Sequence, residues 1–142
     1  MFMGNFKHSI DAKGRLIIPA RFREELGDRF VVSKGFDGCL QANALEAWEG
    51  IQEKLKELSQ FNKAAREVKR FFNGGATIVE VDKQGRILIP ADLRDHAGLE
   101  KNVSLVGTGS CVEIWDSDKW DEAAVDNIDD IAESLSELGF TL

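Results

Sequence analysis

The chain has 142 residues, 43% of them hydrophobic, and a net charge of −7; that length suits one domain, or two very small ones sharing a core. No apolar run approaches the roughly 18–20 residues needed to span a membrane, and the opening MFMGNFKHSI lacks a signal peptide's apolar stretch, so a soluble, cytoplasmic protein without a membrane partner is expected. The two cysteines, Cys39 and Cys111, and the two histidines, His8 and His96, stand at no CxxC or HExxH spacing, so no metal, cofactor or catalytic constellation is expected.

In chain order, NFKHSID comes first, with Phe6, His8 and Ile10 alternating as in a half-buried strand. AKGR places Gly14 at a tight turn, where a positive φ costs glycine little. RLIIP is a second strand of aliphatic residues, which predicts a hairpin over residues 5–18 tipped by Lys13 and Gly14. Pro19 ends the strand and suits the first turn of a helix. PARFREELG is then a short helix stopped at Gly27. RFVVSK and CLQAN predict another strand pair around the glycine turn at 35–38.

A helical stretch follows. Leu45, Trp48, Leu55 and Leu58 recur at helical spacing, and Ala64, Ala65, Val68, Phe71 and Phe72 do so in a second segment. Gly74 and Gly75 end it; no Lys-Ser/Thr follows them, so they read as a helix stop rather than a phosphate loop.

The opening plan then returns as ATIVEVD, RILIP, PADLRDHAG, NVSLVG and CVEIW. Aligned without gaps, DAKGRLIIPARFR and DKQGRILIPADLR share seven of thirteen positions, where chance gives about one in sixteen per position. After a one-residue insertion, Gly35, Cys39 and Trp48 meet Gly107, Cys111 and Trp120. Two copies are too few for a solenoid, so a pseudo-twofold pair around one core is expected. The predicted division is repeat one at 5–48, a helical connector at 49–75, repeat two at 76–119 and an acidic C-terminal helix at 120–142. Trp120, Ala124, Ile128, Ile131, Leu135 and Leu138 mark that helix as a single amphipathic element.

Charge is unevenly placed. Residues 113–142 hold ten acidic residues and one lysine, or −9, which leaves +2 for the rest of the chain. Lys7, Lys13, Arg15, Arg21 and Arg23 cluster at the front against Asp11 alone. Copy two offers Lys83, Arg86 and Arg94, offset by Asp82 and Asp92, and Gln84 stands where copy one has Lys13. A good hairpin explains the aspartate and glycine of each D-x-x-G-R turn but not a repeated arginine. A guanidinium forks to phosphate or to the edge of guanine, and Asp11 and Asp82 would hold that fork in one rotamer. These eight basic residues are the candidate DNA contacts. Cys39 and Cys111 are expected as reduced core thiols, with a redox pair as the alternative. Trp48 and Trp120 are expected in the core, Trp115 in the core or at an interface. His8 has no partner motif that would make it catalytic, and a place on a DNA-facing strand is an alternative rather than the expectation.

At DAKGRLIIPARFREELG the sequence resembles the AbrB/SpoVT family of swapped-hairpin DNA-binding domains. Two copies with a helical insert and a C-terminal helix are similar to the MraZ family; MFMGNFKHSIDAKGRLIIPARFR, GFDGCL and EIWDSDKW all fit. The resemblance implies an α+β fold of two tandem swapped-hairpin barrel repeats and a homo-oligomer, a ring, associated with the nucleoid. It implies a transcriptional regulator that binds short G-rich repeats of double-stranded DNA in the promoter of the division and cell-wall gene cluster. No small-molecule substrate is implied. An antitoxin-like or scaffold module on the same fold is the rival reading.

Overall fold

The computed structural model describes residues 1–124 and 128–141. Copy one contains β1 (Asn5–Ser9), β2 (Arg15–Ile17), α1 (Ala20–Leu26), β3 (Arg29–Lys34) and β4 (Leu40–Ala44). Two helices follow, α2 (Leu45–Lys56) and α3 (Lys63–Gly74). Copy two contains β5 (Thr77–Glu80), β6 (Arg86–Leu88), α4 (Ala91–Ala97), β7 (Asn102–Gly107) and β8 (Val112–Asp116). The chain ends in α5 (Ser117–Ala123) and α6 (Ile128–Glu137).

The local signals act as their chemistry dictates. Pro19 and Pro90 stand as N-caps of α1 and α4, and Gly27 (φ 83°) and Gly98 (φ 61°) end those helices. Asn62 caps α3 through a bond from the Ala65 amide.

Pairing crosses between the copies. The predicted hairpin over 5–18 is not a two-stranded ladder; β1 and β2 meet only at the Ile10–Leu16 bridge. β1 instead pairs antiparallel with β7 of copy two, from Asn5 opposite Val106 to Ser9 opposite Asn102. In return β5 pairs with β3 of copy one, and β2 pairs with β6. The resulting orders are β1-β7-β8-β4-β3-β5 and β2-β6. Exchanging the copies reverses the first order onto itself. The pseudo-twofold axis therefore runs through the Gln41–Glu113 pair and the Leu16–Ile87 pair. This is the expected α+β fold of two swapped-hairpin repeats.

The swap merges the cores. Leu16, Ile18, Phe22, Phe30 and Leu40 of copy one pack in one cluster with Ile87, Ile89, Leu93, Leu105 and Ile114 of copy two. A repeat of about forty residues buries too little apolar surface to stand alone; interleaving gives each half the other's hydrophobic face.

Three expectations change. The single helix predicted from Trp120 to Leu138 is two. Asp116 accepts from the Lys119 amide and starts α5 at Ser117. Ala124 is extended (ψ 128°) and ends it without a glycine or proline, and α6 ends at Glu137, two residues before the positive-φ Gly139. Trp115, not its neighbour, is the buried tryptophan (5% exposed), and half-buried Trp120 packs on it at 5.7 Å. Trp48 is also half-buried, in a groove with Val31, Leu45 and Ile78. Cys39 and Cys111 are free and buried; burial pushes the Cys39 thiol up to about 12 and raises that of Cys111.

Candidate nucleic-acid interface

Each D-x-x-G-R turn is a closed unit. The Asp11 amide donates to the Arg15 carbonyl at 3.0 Å, and the Gly14 amide to the Asp11 carbonyl at 3.0 Å. One carboxylate oxygen of Asp11 accepts from the amides of Lys13 (3.0 Å) and Arg15 (2.9 Å). The other accepts from Nε of Arg15 at 2.6 Å. Asp82 repeats the scheme with the amides of Gln84 and Arg86 and with Arg86 Nε, each at 2.9 Å. So the aspartate shapes the turn and holds the arginine with the same group. Its contact uses Nε, which leaves the terminal nitrogens as a fork for a ligand. The amide and guanidinium of Arg15 hold the Asp11 carboxyl below the usual carboxylate range, and those of Arg86 do the same for Asp82. Both grips therefore persist at neutral pH and weaken only as acid protonates the carboxylates.

The fold places both turns on one face. In the β2–β6 ribbon Arg15 lies opposite Leu88 and Ile17 opposite Arg86, with Leu16 opposite Ile87 between them. Alternate residues face opposite sides. Leu16 and Ile87 are buried at 0% and 1% exposure, whereas Ile17 and Leu88 are exposed at 42% and 57%. The outer face thus carries two arginines as diagonal neighbours, about 7–8 Å apart at Cα for such positions, with two exposed aliphatic side chains between them. Sequence reasoning put Ile17 and Leu88 in the strands RLIIP and RILIP without assigning them a face. The signal was available in the alternation of RLI and RIL, but it needs the swapped partner to be read. A two-stranded antiparallel ribbon of this kind fits the major groove of B-form DNA.

The remaining predicted contacts divide into two groups. Lys7 on β1, Lys13 and Lys83 on the turns, and Arg21 on α1 are exposed. Lys7 lies opposite Ser104, and His8 beside it is half-buried. Arg23 and Arg94 are half-buried and cross to the other copy's turn. A Cβ on Gly14 (φ 92°) would lie 2.9 Å from Arg94 Nε, and one on Gly85 (φ 79°) would lie 3.0 Å from an Arg23 terminal nitrogen. The Ile89 amide donates to the Gly14 carbonyl at 2.8 Å, and the Ile18 amide to the Gly85 carbonyl at 2.9 Å. Each turn therefore rests on the strand end and helix of the opposite copy.

The two braces differ. Arg94 Nε donates to the Ile89 carbonyl at 3.0 Å, while buried Arg23 Nε has no bonding partner among the described residues. Arg94→Ala should cost about 1 kcal/mol, the net value of one bond, and Arg23→Ala less. Urea unfolding of both variants checks this; a larger loss for Arg23→Ala would contradict the geometry.

The family model described as "MraZ protein, putative antitoxin-like" matches residues 1–71 and again 72–137. A "Transcriptional regulator MraZ" from Lachnoclostridium phytofermentans is 51% identical over 99% of this chain and 99% of its own length. Another of that name, from Thermoanaerobacter pseudethanolicus, is 53% identical over 97% of this chain and 99% of its own. The solution structure of PHS018 from Pyrococcus horikoshii aligns over 80% of this chain and 88% of its own, with a TM-score of 0.32 and 20% identity.

Proposed function

The chain belongs to the MraZ family, and we propose on that premise that it is a sequence-specific, DNA-binding transcriptional regulator that reads short G-rich promoter repeats of the division and cell-wall gene cluster. The observation that carries this reading is the pair of aspartate-held arginines on one exposed antiparallel ribbon. Arginine forked to O6 and N7 of guanine is the commonest base-specific contact in the major groove. The function needs no catalytic group. One ribbon reaches few phosphates and bases, so repeated DNA sites favour a self-associated protein that presents several ribbons. Homo-oligomerisation, as a ring, is part of the proposal.

Binding by a chain of net charge −7 is no paradox, because the net negative charge lies from residue 113 onward and the local field governs association. We assign the exposed Lys7, Lys13, Arg21 and Lys83 to phosphates, and Arg15 and Arg86 to bases. Arg23 and Arg94 then act beneath the turns.

Turn one is the more basic. On duplex DNA the log–log salt dependence of binding flattens by about 0.9 for each phosphate that the protein no longer neutralises. Lys13→Ala should flatten it by about that amount per engaged chain, and Lys83→Ala by less. A fluorescence-anisotropy salt titration on the DNA upstream of its own gene, against a scrambled duplex, tests both points. Equal slopes for the two variants would remove the asymmetry; equal affinity for the two duplexes would remove sequence-specific recognition.

The exposed Ile17 and Leu88 favour one second reading, an antitoxin-like module that docks a protein on this ribbon. That contact would be largely apolar and would survive high salt.

A further inference from the structure

The molecule leaves two complementary apolar surfaces uncovered. The first is on α6. Ile128, Ile131 and Leu135 recur at helical spacing on one face of α6, with Leu138 just beyond its end; α6 has no buried residue, Ile128, Ile131 and Leu138 are 82%, 44% and 80% exposed, and Leu135 is half-buried. Its remaining surface is acidic, with Asp129, Asp130, Glu133 and Glu137 and no basic residue.

The second is a groove of about 320 Å³ lined by Phe36, Ala64, Glu67, Val68, Phe71 and Phe72. It lies between α3 and the glycine turn after β3. Phe36 stacks on Phe71 at 5.4 Å and meets Phe72 edge-on at 5.9 Å, so its floor is preformed. Phe36 is nevertheless 57% exposed and Val68 39%. Helix α3 carries Lys63, Arg66, Lys69 and Arg70 against Glu67, a net +3 beside the groove. Glu67 is already neutralised in part by Lys63 at 4.0 Å.

We propose that α6 of one chain seats its Ile128–Ile131–Leu135 face in the Phe36–Val68–Phe71 groove of a second copy, with its acidic flank against the basic residues of α3. The match is of three kinds. The spacing of the α6 anchors is that of a helix laid in a groove. The groove presents aromatic rings, which supply large contact area with few rotamers to fix. The flanking charges are opposite in sign and favour this pairing over apolar surfaces rimmed with like charge.

Because the donor helix and the acceptor groove are different surfaces, the contact is head-to-tail. It propagates from chain to chain and closes when the rotation permits. The inference rests on the self-association proposed above and assigns it a specific joint. It also turns the acidic segment from a bystander in a DNA-binding protein into the piece that multiplies the ribbons.

The test uses full-length chains. Val68→Cys in one chain and Ile131→Cys in a second, differently tagged chain are mixed and oxidised; the native cysteines are buried. The expected result is a disulfide joining the two tagged chains. Ile131→Asp should bring the wild-type assembly down to 15.8 kDa in sedimentation equilibrium while the chain still unfolds cooperatively, since α6 has no residue in its own chain's core. Affinity for a single DNA repeat should stay at the wild-type value, which separates loss of the joint from loss of DNA reading. An assembly that persists in Ile131→Asp, with no interchain disulfide, overturns the joint but not self-association. A wild type sedimenting at 15.8 kDa overturns both. A disulfide that forms within one dilute Val68→Cys/Ile131→Cys chain places α6 in its own groove and also overturns the proposal.

Discussion

Arg15→Ala weakens binding to operator DNA by about 1–3 kcal/mol per site, the range for a bidentate arginine–guanine contact. The loss is in the specific component: affinity for a scrambled duplex falls far less, and discrimination at the guanine it reads relaxes. Folding stability changes little, because the Arg15–Asp11 pair still reaches solvent, at 37% and 39% exposure for the two side chains, and solvent-accessible pairs contribute little. The Asp11 bonds to the Lys13 and Arg15 amides, which hold the turn, do not involve the arginine side chain. Arg15→Lys does not rescue, since a lysine ammonium has no fork. Anisotropy titrations on specific and scrambled DNA, with thermal melts alongside, make the check. A well-folded Arg15→Ala chain with wild-type operator affinity would refute the base-reading role.

Gly14→Ala destabilises the fold by about 2–5 kcal/mol, more than removing either bracing arginine. Two costs combine. At φ 92° an alanine pays about 1–2 kcal/mol for the left-handed backbone. Its Cβ would also lie 2.6 Å from the Ile89 carbonyl oxygen, and relieving such overpacking costs about 1–3 kcal/mol. The obstacle is backbone, and it belongs to the opposite copy. The Gly14 carbonyl there receives the Ile89 amide, so the clash disturbs the junction that joins the two halves. Gly38→Ala is the control: its φ is 83°, but its Cβ would meet nothing within 4 Å, so only the backbone cost remains. Gly85→Ala falls between the two, because its nearest neighbour is the movable end of Arg23 at 3.0 Å. Urea midpoints of the three variants rank these costs. Equal losses for Gly14→Ala and Gly38→Ala would show that close packing at the first turn contributes nothing.

The sequence alone determined what is set within a few residues. Pro19 and Gly27 bound α1 in the sequence and in the fold alike. Gly14 and Gly85 need positive φ for a reason visible in the tetrapeptide. The link from Asp11 to Arg15 was expected because a four-residue turn brings those side chains together. The repeat also announced the pseudo-twofold relation, since equal sequences adopt equal local structures.

Tertiary structure alone decided which copy each element serves. Alternation of Phe6, His8 and Ile10 says that β1 has an inner face, but ladder bonds are the same whichever strand supplies them. Only packing in a shared core selects β7 over β2 as its partner. The same choice turns Ile17 and Leu88 outward between Arg15 and Arg86, and carries Arg23 and Arg94 beneath the opposite turns. Hydrophobic pattern fixes the face of a strand, and non-local burial fixes its neighbour. The two arginine turns were therefore legible as chemistry in the sequence, and became one surface only through the exchange of hairpins.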